Sequence, residues 1–137
     1  MRAIIDTNVL FEGLTKQGGV CGLIVDAWRA GLIEPCVSNA LAYEYEDVLG
    51  RKLSARRWTQ IQPVLHSLLG QVEFVTVYFS WRPSSPDPGD EHLIDCAMSA
   101  DAVVVTANKK DLAQAQKTLG LRVMSPVEFV TALTAPN

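Results

Sequence analysis

The chain has 137 residues, 48% hydrophobic and 20% charged, with nine glycines and seven prolines; this globular composition excludes a disordered or collagen-like chain and fits a single domain over residues 1–137. Fifteen acids against twelve Lys and Arg give a formal net charge of −3, so bulk charge does not hold nucleic acid and such a partner needs a local basic patch. No apolar run approaches the roughly 18 residues that cross a bilayer, and MRAIIDTNV lacks a secretory pattern, so a cytoplasmic protein with no membrane partner is expected.

In chain order, residues 2–5 (RAII) read as a short buried strand that ends abruptly at Asp6. Leu23, Ile24, Ala27 and Trp28 recur at helical spacing between Cys21 and Ala30, and Gly31 is the stop. IEPCV, 33–37, reads as a second strand. Ser38 is a natural N-cap for a helix over about 39–49, with Leu41, Tyr45, Val48 and Leu49 as its buried stripe. A further helix is expected over about 59–69, broken or kinked at Pro63, then a strand VEFVTV at 72–77 and a Pro- and Ser-rich loop at 82–89. The last third alternates regularly: a helix at 90–100, the strand AVVVT at 102–106, a helix at 109–119, a short strand LRVM, and a helix opened by Ser125-Pro126. This alternation predicts a three-layer α/β/α fold around a parallel sheet of about five strands. Cys21, Cys36 and Cys96 are odd in number and far apart, which suits buried apolar residues better than a disulfide or zinc site.

Ligands of open parallel sheets bind beyond the C-terminal strand ends. Asp6 stands at one such end, and Thr106 to Asn108 follow the AVVV strand in the same way, so the two meet if both strands are central. Glu44 borders the buried stripe of its helix and can reach over the sheet edge, although a solvent-exposed role is the plainer one for a helical Glu. Residues 87–101 hold Asp87, Asp90, Glu91, Asp95 and Asp101 with no Lys or Arg. Helix capping accounts for Asp87, Asp90 and Glu91 but not for Asp95 in mid-helix. Carboxylates gathered at one edge repel unless a cation neutralises them, and oxygen-only ligands favour Mg²⁺ or Mn²⁺, an ion suited to phosphodiester chemistry. The chain has no GxxxxGK[ST], GxGxxG or GxSxG motif, and His66 and His92 read as isolated surface or packing residues.

The strand followed by DTNVL at 6–10, SNALAYEYEDVL at 38–49, DPGDEHLIDCA at 87–97 and VVVTANKKDL at 103–112 together resemble the PIN-domain family, and VMSPVEFV is similar to its closing strand and helix. The likeness spans essentially the whole chain and is nearest to the VapC-like toxins of toxin-antitoxin systems. It implies an Mg²⁺- or Mn²⁺-dependent endoribonuclease whose acids map onto Asp6, Glu44 and Asp90, with Thr7 and Asn8 supporting the first acid and Thr106 the fourth strand's end. It also implies a small antitoxin partner and a homodimer. Where the family often carries a further Asp, this chain has Asn108, leaving Asp95 or Asp111 to supply the missing charge. Five residues at about 100° each place Asp95 roughly 140° around the helix from Asp90, so Asp95 ranks below it. For the RNA, Arg51, Lys52, Arg56 and Arg57 are expected to cluster after the Glu44 helix, with Lys109 and Lys110 flanking Asn108. Trp58 and Trp81 offer stacking surfaces, although packing is the plainer role for both.

Two other readings stand beside the nuclease. One is a PIN-like module that binds RNA or a protein without efficient turnover, raised by Asn108. The other is a metal-dependent phosphatase or receiver-like phospho-acceptor, weakened because DTNVL lacks the second Asp two residues on.

Overall fold

A computed structural model describes residues 1–78 and 90–135. The expected loop 82–89, Asp87 and Trp81 fall outside them. The described elements run β1 (Arg2–Ile5), α1 (Thr7–Thr15), α2 (Gly19–Arg29), β2 (Glu34–Val37), α3 (Asn39–Lys52), α4 (Ala55–Leu69), β3 (Glu73–Phe74), α5 (Glu91–Ala100), β4 (Val103–Val105), a 3₁₀ turn (Lys109–Leu112), α6 (Ala113–Leu119), β5 (Val123–Met124) and α7 (Pro126–Thr134).

The five strands form one parallel sheet in the order β3-β2-β1-β4-β5. The chain steps outward from β1 to β2 and β3, then returns across the sheet to β4 and β5. With right-handed crossovers, α1 to α4 cover one face and α5 with α6 the other, which gives the expected three layers. Beyond Arg2 at the start of β1 the central strands are apolar because both faces are covered: Ala3, Ile4, Ile5, Val103, Val104 and Val105 are all buried. Among the described residues no helix is long and apolar enough to cross a membrane.

Several elements differ from the sequence expectation. The most consequential is α1, which begins directly after β1 and was not anticipated. Its Val9 and Leu10 are buried, but its nine residues are too few for periodicity to stand out. Here α1 meets α2 so closely that a Cβ on Gly13 would lie 2.5 Å from the Cys21 carbonyl oxygen, and glycine is what permits the approach. The α3 helix runs on to Lys52, so Arg51 and Lys52 sit on its last turn rather than after it, where they complement the helix dipole. Helix α4 starts at Ala55 on a Ser54 cap and continues through Pro63 without a break. Pro63 and Thr59 are exposed, so water can take up the carbonyl that the proline leaves without a donor. The expected strand 72–77 is paired only at Glu73–Phe74, both exposed, at the sheet edge. The helix expected over 109–119 is split into the 3₁₀ turn and α6, ended by Gly120 in the left-handed conformation. A capping box between Ser125 and Glu128 starts α7.

All three cysteines are buried and free. Burial pushes the thiols of Cys21 and Cys36 up to about 12 and about 11, so they stay protonated at neutral pH and act as small apolar groups.

Candidate active site at the sheet switch point

The strand order reverses between β1 and β4, where a crevice opens at the C-terminal edge of an α/β sheet. Ile5 pairs with Val105, and the Asp6 N–H donates to the Val105 carbonyl at 3.0 Å, so Asp6 and Thr106 leave the sheet side by side. The Thr106 hydroxyl donates to Asp6 Oδ2 at 2.7 Å and accepts from the Asn108 N–H at 3.1 Å. Asp6 occupies the N-cap position of α1 yet its carboxyl makes no capping bond. The side chain is directed to the crevice instead.

Helix α3 brings the second acid. The fully buried Tyr45 donates its hydroxyl to the Ile5 carbonyl, which fastens α3 over the end of β1. Burial holds that phenol well above its ordinary value, so the donor proton is retained. Its neighbour Glu44 thereby reaches α1, where the Thr7 hydroxyl donates to Glu44 Oε2. His92 of α5 approaches the same oxygen, with Nε2 at 3.5 Å. The bond from His92 is the leading cause that holds Glu44 below the ordinary carboxylate range, aided by Thr7 against the cost of burial. Asp6 moves the other way. Burial raises it, and the charge of Glu44 adds to the rise against the bond from Thr106.

Asp6, Thr7, Asn8, Glu44, Asp90, Thr106 and Asn108 line one pocket of about 240 Å³, with Arg51 and Lys52 on its wall. Other sequence-predicted residues lie elsewhere. Asp95 is buried, 4% exposed, and lines a neighbouring cavity rather than the acid pocket. Asp111 stands beside the pocket and accepts from Asn108 Nδ2 at 2.5 Å. Arg57 is drawn to the Thr15 carbonyl at 3.1 Å and Lys109 to Glu128 at 2.8 Å; neither these two nor Arg56 and Lys110 line the pocket. Trp58 packs partly buried against the core, the plainer of its two roles. His92, read as isolated, is the residue that sequence reasoning missed. No local signal could have found it, because its relation to Glu44 comes only from the packing of α5 on α3. Its Nδ1 is buried and has no hydrogen-bond partner among the described residues.

A PIN domain profile matches residues 2–110. The chain belongs to the PIN-domain family. Among solved structures this PIN domain is similar to a chain of VapBC2 from Rickettsia felis bound to a DNA fragment from their promoter, with a TM-score of 0.66 at 14% identity over 91% of this chain and 98% of that one. It is also similar to DNA-bound VapBC from Salmonella typhimurium, with a TM-score of 0.64 at 15% identity over 92% and 98%. A third likeness is to FitAcB from Neisseria gonorrhoeae, with a TM-score of 0.62 at 15% identity over 91% and 98%. At such identities these likenesses speak for the fold of the PIN domain. No curated protein matches the chain.

Divalent metals are general among PIN nucleases, and the donor chemistry of this pocket suits a hard cation. The oxygen-bearing side chains that line it include Asp6, Glu44, Asp90, Asn8 and Asn108. Burial raises Asp6 and the charge of Glu44 adds to the rise, and a nearby cation favours the ionised form against both. As placed, no three His, Cys, Asp or Glu side chains among the described residues stand close enough to share one ion.

Proposed function

We propose that this PIN domain is an Mg²⁺- or Mn²⁺-dependent endoribonuclease acting as the toxin of a toxin-antitoxin pair. The observation that carries the reading is the gathering of Asp6, Glu44 and Asp90 in one pocket at the sheet switch point, with Arg51 and Lys52 beside them. Asp6, Glu44 and Asp90 would hold the ion, which supplies an activated water and neutralises charge on the phosphoryl oxygens. The protein's own groups do the positioning. Thr106 fixes Asp6, Thr7 fixes Glu44, and the buried Tyr45 sets the distance between their two elements. Arg51 and Lys52 meet the phosphates that flank the scissile bond, and Arg56, Arg57, Lys109 and Lys110 extend the basic surface away from the pocket. The likeness to VapBC complexes supports a small antitoxin as the partner.

A cleavage assay on labelled RNA, with and without Mg²⁺ or Mn²⁺, comparing wild type with Asp6→Asn, tests the reading. Cleavage that requires the ion and vanishes in the variant supports it, and ion-independent or Asp6-independent cleavage overturns it. Replacing Arg51 and Lys52 by Ala should weaken RNA binding and flatten its salt dependence, since each lost phosphate contact releases fewer counterions. One observation favours a second reading, a PIN-like binding module of low turnover: the pocket carries the neutral amide of Asn108, whose N–H is already committed to Asp111. An inert wild type that Asn108→Asp activates would establish it.

A further inference from the structure

Three helices meet at one atom beside the acid pocket. Glu44 extends from α3, the Thr7 hydroxyl on α1 donates to its Oε2, and His92 on α5 brings Nε2 to the same Oε2 at 3.5 Å. The surroundings of the imidazole decide where its proton sits. Nδ1 is buried and has no hydrogen-bond partner among the described residues, whereas Nε2 faces a carboxylate oxygen. A proton on Nδ1 alone would be buried without an acceptor and would leave the Nε2 lone pair against an oxygen that can only accept. With the proton on Nε2 the ring donates to Glu44, and its one unmet group is a bare lone pair. The contact is long for a hydrogen bond, but the charge on the acceptor strengthens it, and it heads the causes that keep Glu44 below the ordinary carboxylate range.

Resting on the reading of this pocket as the metal centre of a ribonuclease, we propose that His92 is a positioning residue that, with Thr7, pins Glu44 by Oε2 and leaves Oε1 as the oxygen that meets the ion. A helical glutamate reaches its target through several rotatable bonds, and this one keeps 34% of its side chain exposed, so unheld it swings to water. A single donor fixes the distance of a carboxylate and leaves its plane free to turn. Two donors on one oxygen, from α1 and from α5, remove that freedom before the ion arrives, so the ordering cost falls on folding rather than on binding. His92 lines the neighbouring cavity and not the acid pocket, so it acts on the ion only through Glu44.

The test compares wild type with His92→Leu, which removes the donor, and His92→Gln, whose amide nitrogen restores one at similar reach. Mn²⁺ is titrated into each whole chain by calorimetry, without RNA. His92→Leu is expected to weaken the ion about tenfold or more, and His92→Gln to recover most of that loss. A role in packing alone predicts otherwise, since Gln replaces the ring no better than Leu does. Equal losses in both variants, or wild-type affinity in His92→Leu, therefore overturn the proposal. Because a substitution in α5 can disturb folding, the imidazole nitrogen NMR spectrum of the metal-free wild type gives a reading that needs no variant. A proton on Nε2 is expected there, and an Nε2 without one overturns the proposal. Labelled RNA is then offered to the same three proteins with Mn²⁺. Graded Mn²⁺ affinity with no RNA cut by any of them keeps the positioning role and refutes the ribonuclease; ion-dependent cleavage with one affinity common to all three does the reverse.

Discussion

The two ends of the sheet handle charge in opposite ways. At the N-terminal end Arg2 of β1 pairs with Glu73 of β3, and its Nε donates to the Ala100 carbonyl at 3.0 Å, so a cation and an anion close that edge and tie down the end of α5. At the C-terminal end three carboxyls share a pocket, and threonine hydroxyls hold Asp6 and Glu44 where a guanidinium could have done so. The pairing at the first edge leaves no electrostatic cost to exploit. Burial and like charge at the second push Asp6 up, a local conflict that folding alone gives no reason to build and that a ligand of positive charge resolves.

The sharpest way to break this contrast is to neutralise Asp6. On the proposed reading Asp6→Asn is expected to lower RNA cleavage by roughly two orders of magnitude or more, since the group would act on the reacting centre rather than on binding alone. Its effect on stability runs the other way. Burial raises the Asp6 carboxyl above the ordinary value of 3.8, so the folded chain holds the proton more tightly than the unfolded one. The ionised form is therefore a penalty, absent below that ordinary value and fully present above the raised one. At pH 7 without metal, the melting temperature of Asp6→Asn should match or exceed wild type. A clear fall would make Asp6 a structural residue.

Next in size is Tyr45→Phe. This deletion leaves the buried Ile5 carbonyl without its hydroxyl donor and should cost about 1 to 3 kcal/mol in urea unfolding. It should also lower cleavage, because Tyr45 fastens the helix that carries Glu44. Lost stability with full activity would show that Glu44 is placed by α3 packing alone.

The contrast between the two edges also explains what the sequence discloses. Sheet strands β1 and β4 are legible because unbroken apolar runs stop at Asp6 and Thr106, and the alternation of elements gives their parallel order. Asp6, Glu44 and Asp90 are legible through motif likeness, and the acid pocket brings them together. What stays hidden is what tertiary packing decides. The short α1 has too few turns to show a period, and the exposed Glu73–Phe74 pairing is set by a neighbour strand rather than by its own alternation. His92 is silent in sequence because its meeting with Glu44 joins α5 to α3, and the placing of Asp95 on the adjoining cavity rather than the acid pocket is likewise set by packing.

Asn108→Asp sharpens the contrast by adding charge to the acid edge. The substitution removes an amide that donates to Asp111 and sets two carboxylates against each other. Metal-free stability should fall slightly, by less than about 1 kcal/mol because Asn108 is exposed, while Mn²⁺ affinity measured by calorimetry rises several-fold. Unchanged affinity would place Asn108 outside the ion's reach.

The smallest effect is expected at the opposite edge, and it is the control that gives the others meaning. Arg2 and Glu73 keep 35% and 53% of their side chains exposed, so solvent screens the pair and its coupling in a double-mutant cycle of Arg2→Met and Glu73→Gln should not exceed about 1 kcal/mol. The two single variants should differ, because Arg2→Met also deletes the bond to the Ala100 carbonyl whereas Glu73→Gln keeps it. Raising the salt concentration should shrink the coupling but not that difference, since the Ala100 bond depends little on screening. Metal affinity and RNA cleavage should stay at wild-type values throughout, because β1 separates the pair from the pocket by its full length. If either variant disturbed cleavage as strongly as Tyr45→Phe, the two ends of the sheet would be mechanically coupled through β1, and the C-terminal edge could no longer be treated as an electrostatic site built on an indifferent scaffold.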